Sequence, residues 1–295
     1  MIVITTPTGN IGRRLLPLLT DTTEPLRVVV RDPTRLPDTV RDRAEVITGS
    51  HGDPATLDRA LTGADAVFWL VPPDGSRTPH EAYTGFTRPA ARAFTTHGVT
   101  HVVGVSALGR GTPHAAHAGL VTAALAVDDL IADTGVAYRA LANPSFYENL
   151  LDEADSIREH GVFTDTADPD RPAPMVAVAD IAATAAALLL DRSWTGVDTI
   201  PVLGPRALSP NDLARVMTEE LGRPVRYRRE SLDDLRATLL GHGLDTEFVD
   251  ATVDMKRAKD NGLDTGATPT GHGTDFAHWC AHTLNPAITE ATDAH

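Results

Sequence analysis

Residues 1–14 read MIVITTPTGNIGRR. The apolar run Ile2-Val3-Ile4-Thr5 predicts a β-strand, the next residues carry Thr8, Gly9 and Gly12, and an amphipathic helix follows at once. Such a strand–turn–helix brings backbone N–H groups close to a pyrophosphate, an approach that a Cβ in the turn would block. Gly9 and Gly12 match the last two glycines of the dinucleotide fingerprint, and Thr6, followed by Pro7, stands where the first belongs. A glycine turn also joins strands to helices for purely structural reasons, so the rest of the chain must decide.

Beyond the turn, strands are predicted at Ile2–Thr5, Leu26–Val30, Ala44–Ile47, Ala66–Val71, His101–Ser106 and Ala137–Leu141. Helices are predicted at Ile11–Leu19, Pro54–Leu61, His80–Thr96, Ala118–Asp133 and Phe146–Glu159. Apolar strands alternating with helices specify an α/β fold, a Rossmann-type doubly wound parallel sheet with ligands at the C-terminal ends of its strands. The second half reads as a smaller C-terminal α+β substrate lobe, with helices at Pro210–Leu221, Leu232–His242 and Phe276–Leu284. The expected division is residues 1–165 for the nucleotide domain, 166–285 for the lobe and 286–295 for a flexible tail. Residues 176–200 are expected to return to the first domain.

Composition narrows the function classes. The net charge of −14 argues against nucleic-acid backbone binding. Cys280 is the only cysteine, which rules out a disulfide within the chain and suits a reducing cytoplasm. The longest apolar stretch, Ile181 to Leu190, is too short to span a bilayer, and no leader pattern precedes the first strand. No His, Cys, Asp or Glu spacing suggests a metal site, and no Gly-x-Ser-x-Gly suggests acyl transfer.

Several segments, taken in order, carry a resemblance. They are Thr8-Gly9-Asn10-Ile11-Gly12, Val30-Arg31-Asp32-Pro33, Gly49 to Asp53, Ala64-Asp65-Ala66-Val67-Phe68 leading into Val71-Pro72-Pro73, and Val105-Ser106-Ala107-Leu108-Gly109. Asn143 to Leu150, Val178 to Ile181, Gly204-Pro205 with Leu208-Ser209, and Glu220 to Pro224 continue it. From Ile2 to about Leu284 the chain resembles the NmrA-like branch of the atypical short-chain dehydrogenases/reductases, which includes NAD(P)-binding quinone oxidoreductases and NADPH sensors. The resemblance implies a nicotinamide dinucleotide cofactor and a small-molecule substrate. It leaves a homodimer open.

The residues have chemical readings of their own. Arg31, just past the second strand, stands where the ribose 2′ position is met, and its guanidinium favours a 2′-phosphate, hence NADP(H) over NAD(H). Asp32 could instead accept from a free 2′-hydroxyl. Arg35, and less directly Arg13, could add a phosphate contact. Asp53 before Pro54 fits a helix N-cap, and in similar proteins that acidic position lies near the adenine amino group. The expected cofactor set is Thr6, Thr8, Gly9, Asn10, Ile11, Gly12, Arg31, Arg35, Asp53, Leu70, Val71, Pro72, Ser106, Asn143 and Phe146.

The superfamily's Tyr-x-x-x-Lys pair is missing. Lys256 and Lys259 are the only lysines, and none of Tyr83, Tyr138, Tyr147 or Tyr227 has a lysine four residues on. In NmrA-like reductases a Lys or His often precedes an acidic pair on the following helix, and counting back from Asp128-Asp129 that position is Ala124. The remaining catalytic candidates are Ser106, Tyr147 and His117. Ser106 could bond a substrate oxygen or cap a turn, Tyr147 could be acid or wall, and His117, like His114, could close over ligand or lie on the surface. Phe146, Tyr147, Met175, Phe248 and Trp279 could wall a substrate pocket or form the lobe's core. Three functions follow: an NADPH-dependent oxidoreductase for a quinone, enone, imine or carbonyl compound, an NADP(H)-sensing regulator without turnover, or a non-redox isomerase or dehydratase.

Overall fold

The first half alternates strands and helices: β1 (Ile2–Thr5), α1 (Gly12–Thr20), β2 (Leu26–Val30), α2 (Asp38–Arg43), β3 (Ala44–Thr48), α3 (Pro54–Leu61), β4 (Ala66–Trp69), α4 (Phe86–Thr96), β5 (His101–Ala107), α5 (Leu120–Ala132) and β6 (Ala137–Asn143). It continues as β7 (Ser145–Phe146), α6 (Ala154–His160), β8 (Val162–Asp165), β9 (Ala173–Val176), α7 (Val178–Leu190) and β10 (Val197–Pro201). The last segments are β11 (Ala207–Leu208), α8 (Pro210–Leu221), β12 (Arg226–Arg229), α9 (Leu232–Gly241), α10 (Thr246–Asp260), α11 (Phe276–Trp279) and α12 (Asn285–Glu290). The structure, a computed structural model, describes residues 1–290.

Seven strands form a parallel sheet in the order β10-β6-β5-β4-β1-β2-β3. The chain winds outward from β1 through β2 to β3, then crosses back to β4 and winds the other way. The order therefore reverses between β1 and β4, where open α/β sheets bind their ligands. Residues of β1, β2 and β4 are fully buried, as expected for strands covered on both faces. Val3, Val67, Trp69, Phe94, Ile131 and Tyr138 belong to one buried core.

Contacts divide the chain into two units. The first comprises Met1–Ala107, Val121–Ala142 and Ile181–Pro201; the second comprises Leu108–Leu120, Asn143–Asp180 and Val202–His295. Residues 143–165, expected in the first domain, thus cluster with the second unit, as does Leu108–Leu120. Within the second unit β9 pairs with β7 in parallel and with β11 antiparallel, and β12 pairs with β8. Its core gathers Tyr147, Ile157, Phe163, Met217, Phe276 and Trp279. No described helix is long and apolar enough to cross a membrane.

Two expectations are corrected, and two elements come in addition. The helix predicted over Phe146–Glu159 is instead β7, a 3₁₀ stretch over Tyr147–Glu153 and then α6. The cause is tertiary: Phe146 pairs with Val176, and the buried Glu148 carboxylate accepts from Val178 N at 2.9 Å and from Trp279 Nε1 at 3.2 Å. The tail expected over 286–295 is helical through Glu290, and 291–295 lie outside the described residues. Edge strand β10 and helix α10 were not anticipated: Val197-Asp-Thr-Ile-Pro201 is mostly exposed and ends in proline, and α10 is largely polar.

Candidate functional site

The glycine turn holds features that packing alone does not require. Thr6 adopts φ +50°, a left-handed conformation that a β-branched residue rarely takes. It stands where the fingerprint has its first glycine, so the turn keeps the glycine's geometry without the glycine. The Thr6 hydroxyl is buried and has no hydrogen-bond partner among the described residues. A Cβ on Gly12 would lie 2.1 Å from the Thr6 carbonyl oxygen and 2.8 Å from Pro7 Cα, whereas one on Gly9 would meet the Thr6 oxygen only at 3.4 Å. Gly12 is thus fixed by packing, and the space beside Gly9 is left open.

Helix α1 begins behind this turn with no side-chain cap at Ile11 and no acidic residue in its first turn. Its positive N-terminal end therefore faces the turn uncompensated. The orphaned hydroxyl, the open side of Gly9 and the uncapped helix fit a dinucleotide pyrophosphate. Thr8 is half-buried, Ile11 is buried, and the exposed Asn10 accepts from Arg13 Nη2 at 2.8 Å.

At the end of β2 Asp32 is engaged in a local turn. Asp32 Oδ1 accepts from Thr34 N at 3.0 Å and from Thr34 Oγ1 at 2.6 Å, capping the 3₁₀ turn Pro33–Arg35. These bonds hold its carboxyl below the usual carboxylate range. The Arg31 and Arg35 side chains are exposed and their guanidinium groups donate to no described residue. Asp53 caps α3 through Thr56 N and Thr56 Oγ1, both at 2.9 Å. Leu70 and Val71 are half-buried and Pro72 is exposed, just past β4.

Ser106, near the end of β5, is buried at 7% exposure. Its Oγ donates to Asp128 Oδ2 at 2.5 Å, and Tyr138 Oη donates to Asp128 Oδ1 at 2.6 Å. A hydroxyl has one hydrogen, so in this arrangement Ser106 has none left to donate elsewhere. Sequence reasoning missed Asp128 as a partner, although the helical spacing Val121, Leu125, Asp128 placed it on the apolar stripe.

The remaining candidates lie in the second unit. Asn143 ends β6, is buried, and its carbonyl accepts from Leu108 N at 3.0 Å. His117 is exposed at the end of a 3₁₀ turn, Ala115–His117. Tyr147 is 1% exposed, with ring centroids 5.0 Å from Phe276 and 5.8 Å from Trp279. Burial pushes its phenol well above the ordinary range. Met175 packs against the same cluster, while Phe146 and Phe248 are not part of it. The structure brings Tyr147, Met175 and Trp279 together as core.

The unmet demands around Thr6, α1 and Arg31 are those of a Rossmann-type dinucleotide binder. The chain belongs to the NAD(P)H-binding family, whose model matches residues 7–192. It is similar to a (4-alkanoyl-5-oxo-2,5-dihydrofuran-3-yl)methyl phosphate reductase of Streptomyces griseus, 34% identical over 81% of this chain and 80% of the relative. The structure of an NADPH-dependent quinone oxidoreductase from Escherichia coli, complexed with NADPH, superposes with a TM-score of 0.75 at 27% identity, covering 97% of this chain and 100% of that one. A variant of NmrA shares the fold, with a TM-score of 0.71 at 13% identity over 100% of this chain and 98% of its own. The NmrA-like fold expected from the sequence is the fold found.

Proposed function

We propose that this chain, an NAD(P)H-dependent oxidoreductase, prefers NADPH to NADH and passes hydride to a small electron-poor acceptor. The observation that carries the cofactor preference is the end of β2. The carboxylate that could accept from a free ribose 2′-hydroxyl is taken up by Thr34, while Arg31 and Arg35 stand free to meet a 2′-phosphate. Thr6, Thr8, Gly9, Asn10, Ile11 and Gly12 would hold the pyrophosphate, and Leu70, Val71, Pro72 and Ser106 would line the rest of the cleft. Bound NADPH supplies the hydride.

The acceptor class follows from what the chain lacks. Without a Tyr-x-x-x-Lys pair, and with the Ser106 hydrogen given to Asp128, no strong acid is in place among the described residues for the alkoxide that hydride addition to a simple ketone would form. Quinones and enones delocalise the electrons they accept and can take their proton from solvent, and an iminium ion becomes a neutral amine that needs none. The similar proteins named above, which act on a dihydrofuranone phosphate and on quinones, fit that class. The single cysteine, buried in the second unit's core, fits the cytoplasm.

The test is NADPH consumption with quinones, enones and simple ketones side by side. Quinones or enones should turn over, and ketones should be slower by about 10²–10⁴-fold, the usual contribution of a general acid. NADPH binding without oxidation by any acceptor would replace this reading with the sensor. Brisk ketone reduction that survives Ser106→Ala, Tyr147→Phe and His117→Ala would overturn the account of the proton.

A further inference from the structure

Leu70, the first residue of the expected cofactor wall, is tied to three strand ends. Its N–H donates to Thr5 Oγ1 at 3.2 Å, and that hydroxyl donates to the Phe68 carbonyl at 2.8 Å, joining the ends of β1 and β4. Its carbonyl bonds to His51 Nε2 at 2.9 Å, which adds the loop after β3. A carbonyl only accepts, so the imidazole carries its hydrogen on Nε2 and its lone pair on Nδ1.

The ring itself is held firmly. His51 is 7% exposed, edge-on to Trp69 at 5.1 Å and to Phe86 at 4.9 Å. The neighbouring Gly52 approaches Phe86 so closely that a Cβ there would lie 2.4 Å from the phenyl ring. Desolvation pushes the imidazole down to about 4, the bond to Leu70 opposes this, and the Arg31 guanidinium adds to it. At neutral pH the ring is therefore an uncharged donor beside a free cation. Nothing in the packing of a strand end demands a histidine here, since an apolar residue would fill the space between Trp69 and Phe86 without burying an imidazole.

We propose that His51 is a positioning residue for the dinucleotide: it fixes the Leu70 carbonyl, and through it the Leu70–Pro73 wall, at the C-terminal ends of β1, β3 and β4. This rests on the reading of these strand ends as the NADPH cleft. The residue acts through Leu70 and not on the 2′-phosphate, so its loss weakens NADPH and NADH alike. Arg31 acts on NADPH alone.

The experiment titrates NADPH and NADH into wild-type protein and into His51→Phe, His51→Gln and His51→Asn, with melting temperatures recorded in parallel. Gln can place an N–H near the position of the histidine Nε2, whereas Asn is too short and Phe has no donor. Phe and Asn should lose about tenfold in affinity for both cofactors, the effect of leaving a half-buried carbonyl unmet, and Gln should stay within about threefold of wild type. The contrast between Gln and Asn, both polar and both smaller than histidine, separates positioning from bulk stability even if Phe folds poorly. Phe within twofold of wild type, Gln as weak as Asn, or a loss confined to NADPH would each overturn the proposal. Wild-type protein that binds neither cofactor would overturn the cleft reading and this proposal together. Wild-type preference for NADH would overturn only the Arg31 assignment, and the Gln–Asn contrast would still decide on His51.

Discussion

The turn at Thr6–Gly12 and the aromatic cluster around Tyr147 answer the same question in opposite ways. The turn keeps a left-handed threonine, a buried hydroxyl without a partner among the described residues and a helix without a side-chain cap. In the cluster, Trp279 donates to Glu148 and stacks on Phe276 at 5.7 Å, and all three aromatics are nearly fully buried. A segment that only has to pack settles its polar groups internally. One that has to bind leaves demands for the ligand to meet.

The comparison is broken most severely at Gly12. Gly12→Val should abolish NADPH binding and destabilise the first unit by about 3 kcal/mol, because the added atoms meet backbone at Thr6 and Pro7. Gly9→Val should abolish binding while the melting temperature barely moves. If Gly9→Val binds at wild-type strength, the turn is structural and the contrast fails. In the cluster, Trp279→Ala should lower unfolding free energy by about 3–5 kcal/mol, with NADPH affinity of the folded fraction unchanged.

The pH dependence of stability sharpens the contrast at His51. Its folded value near 4 lies below the ordinary 6.5, so the native state binds fewer protons than the unfolded chain between those values. Its contribution is present above 6.5 and is lost as pH falls towards 4. Chemical unfolding at pH 7 and 4.5 should show wild type losing about 2–3 kcal/mol relative to His51→Gln. An equal loss in both proteins would place the imidazole in solvent.

Arg31→Ala should weaken NADPH by about 1.5–3 kcal/mol and leave NADH unchanged, as titration of both cofactors would show. The smallest effect is expected at Tyr147. Tyr147→Phe should change turnover less than twofold, because the phenol is buried beside Phe276 and Trp279. A larger fall in kcat without loss of stability would return Tyr147 to the chemistry.

The sequence made the central sheet legible because its strands are short apolar runs with clear ends; Ile2–Thr5 and Leu26–Val30 are found as expected. It could not reveal the break at Phe146, since a pairing with Val176 overrides a helical pattern. At the candidate site, residue types single out the turn and Arg31. Sequence left Asp32 undecided, because the outcome depends on a bond to a residue two positions on. His51 was hidden for a similar reason: its partner is a backbone carbonyl nineteen positions away, to which every residue type contributes the same atom.

The Asp32–Thr34 turn has a consequence for redesign. Exchanging Arg31 for a neutral residue would weaken one cofactor without recruiting the other, because the adjacent carboxylate stays folded back on Thr34. A change of coenzyme would need that carboxylate released as well, and Thr34→Val would not suffice: it removes the 2.6 Å hydroxyl bond but leaves the 3.0 Å bond from the backbone N–H. On the proposed reading, selectivity at this strand end belongs to a five-residue unit, Arg31 to Arg35, and would have to be exchanged as one.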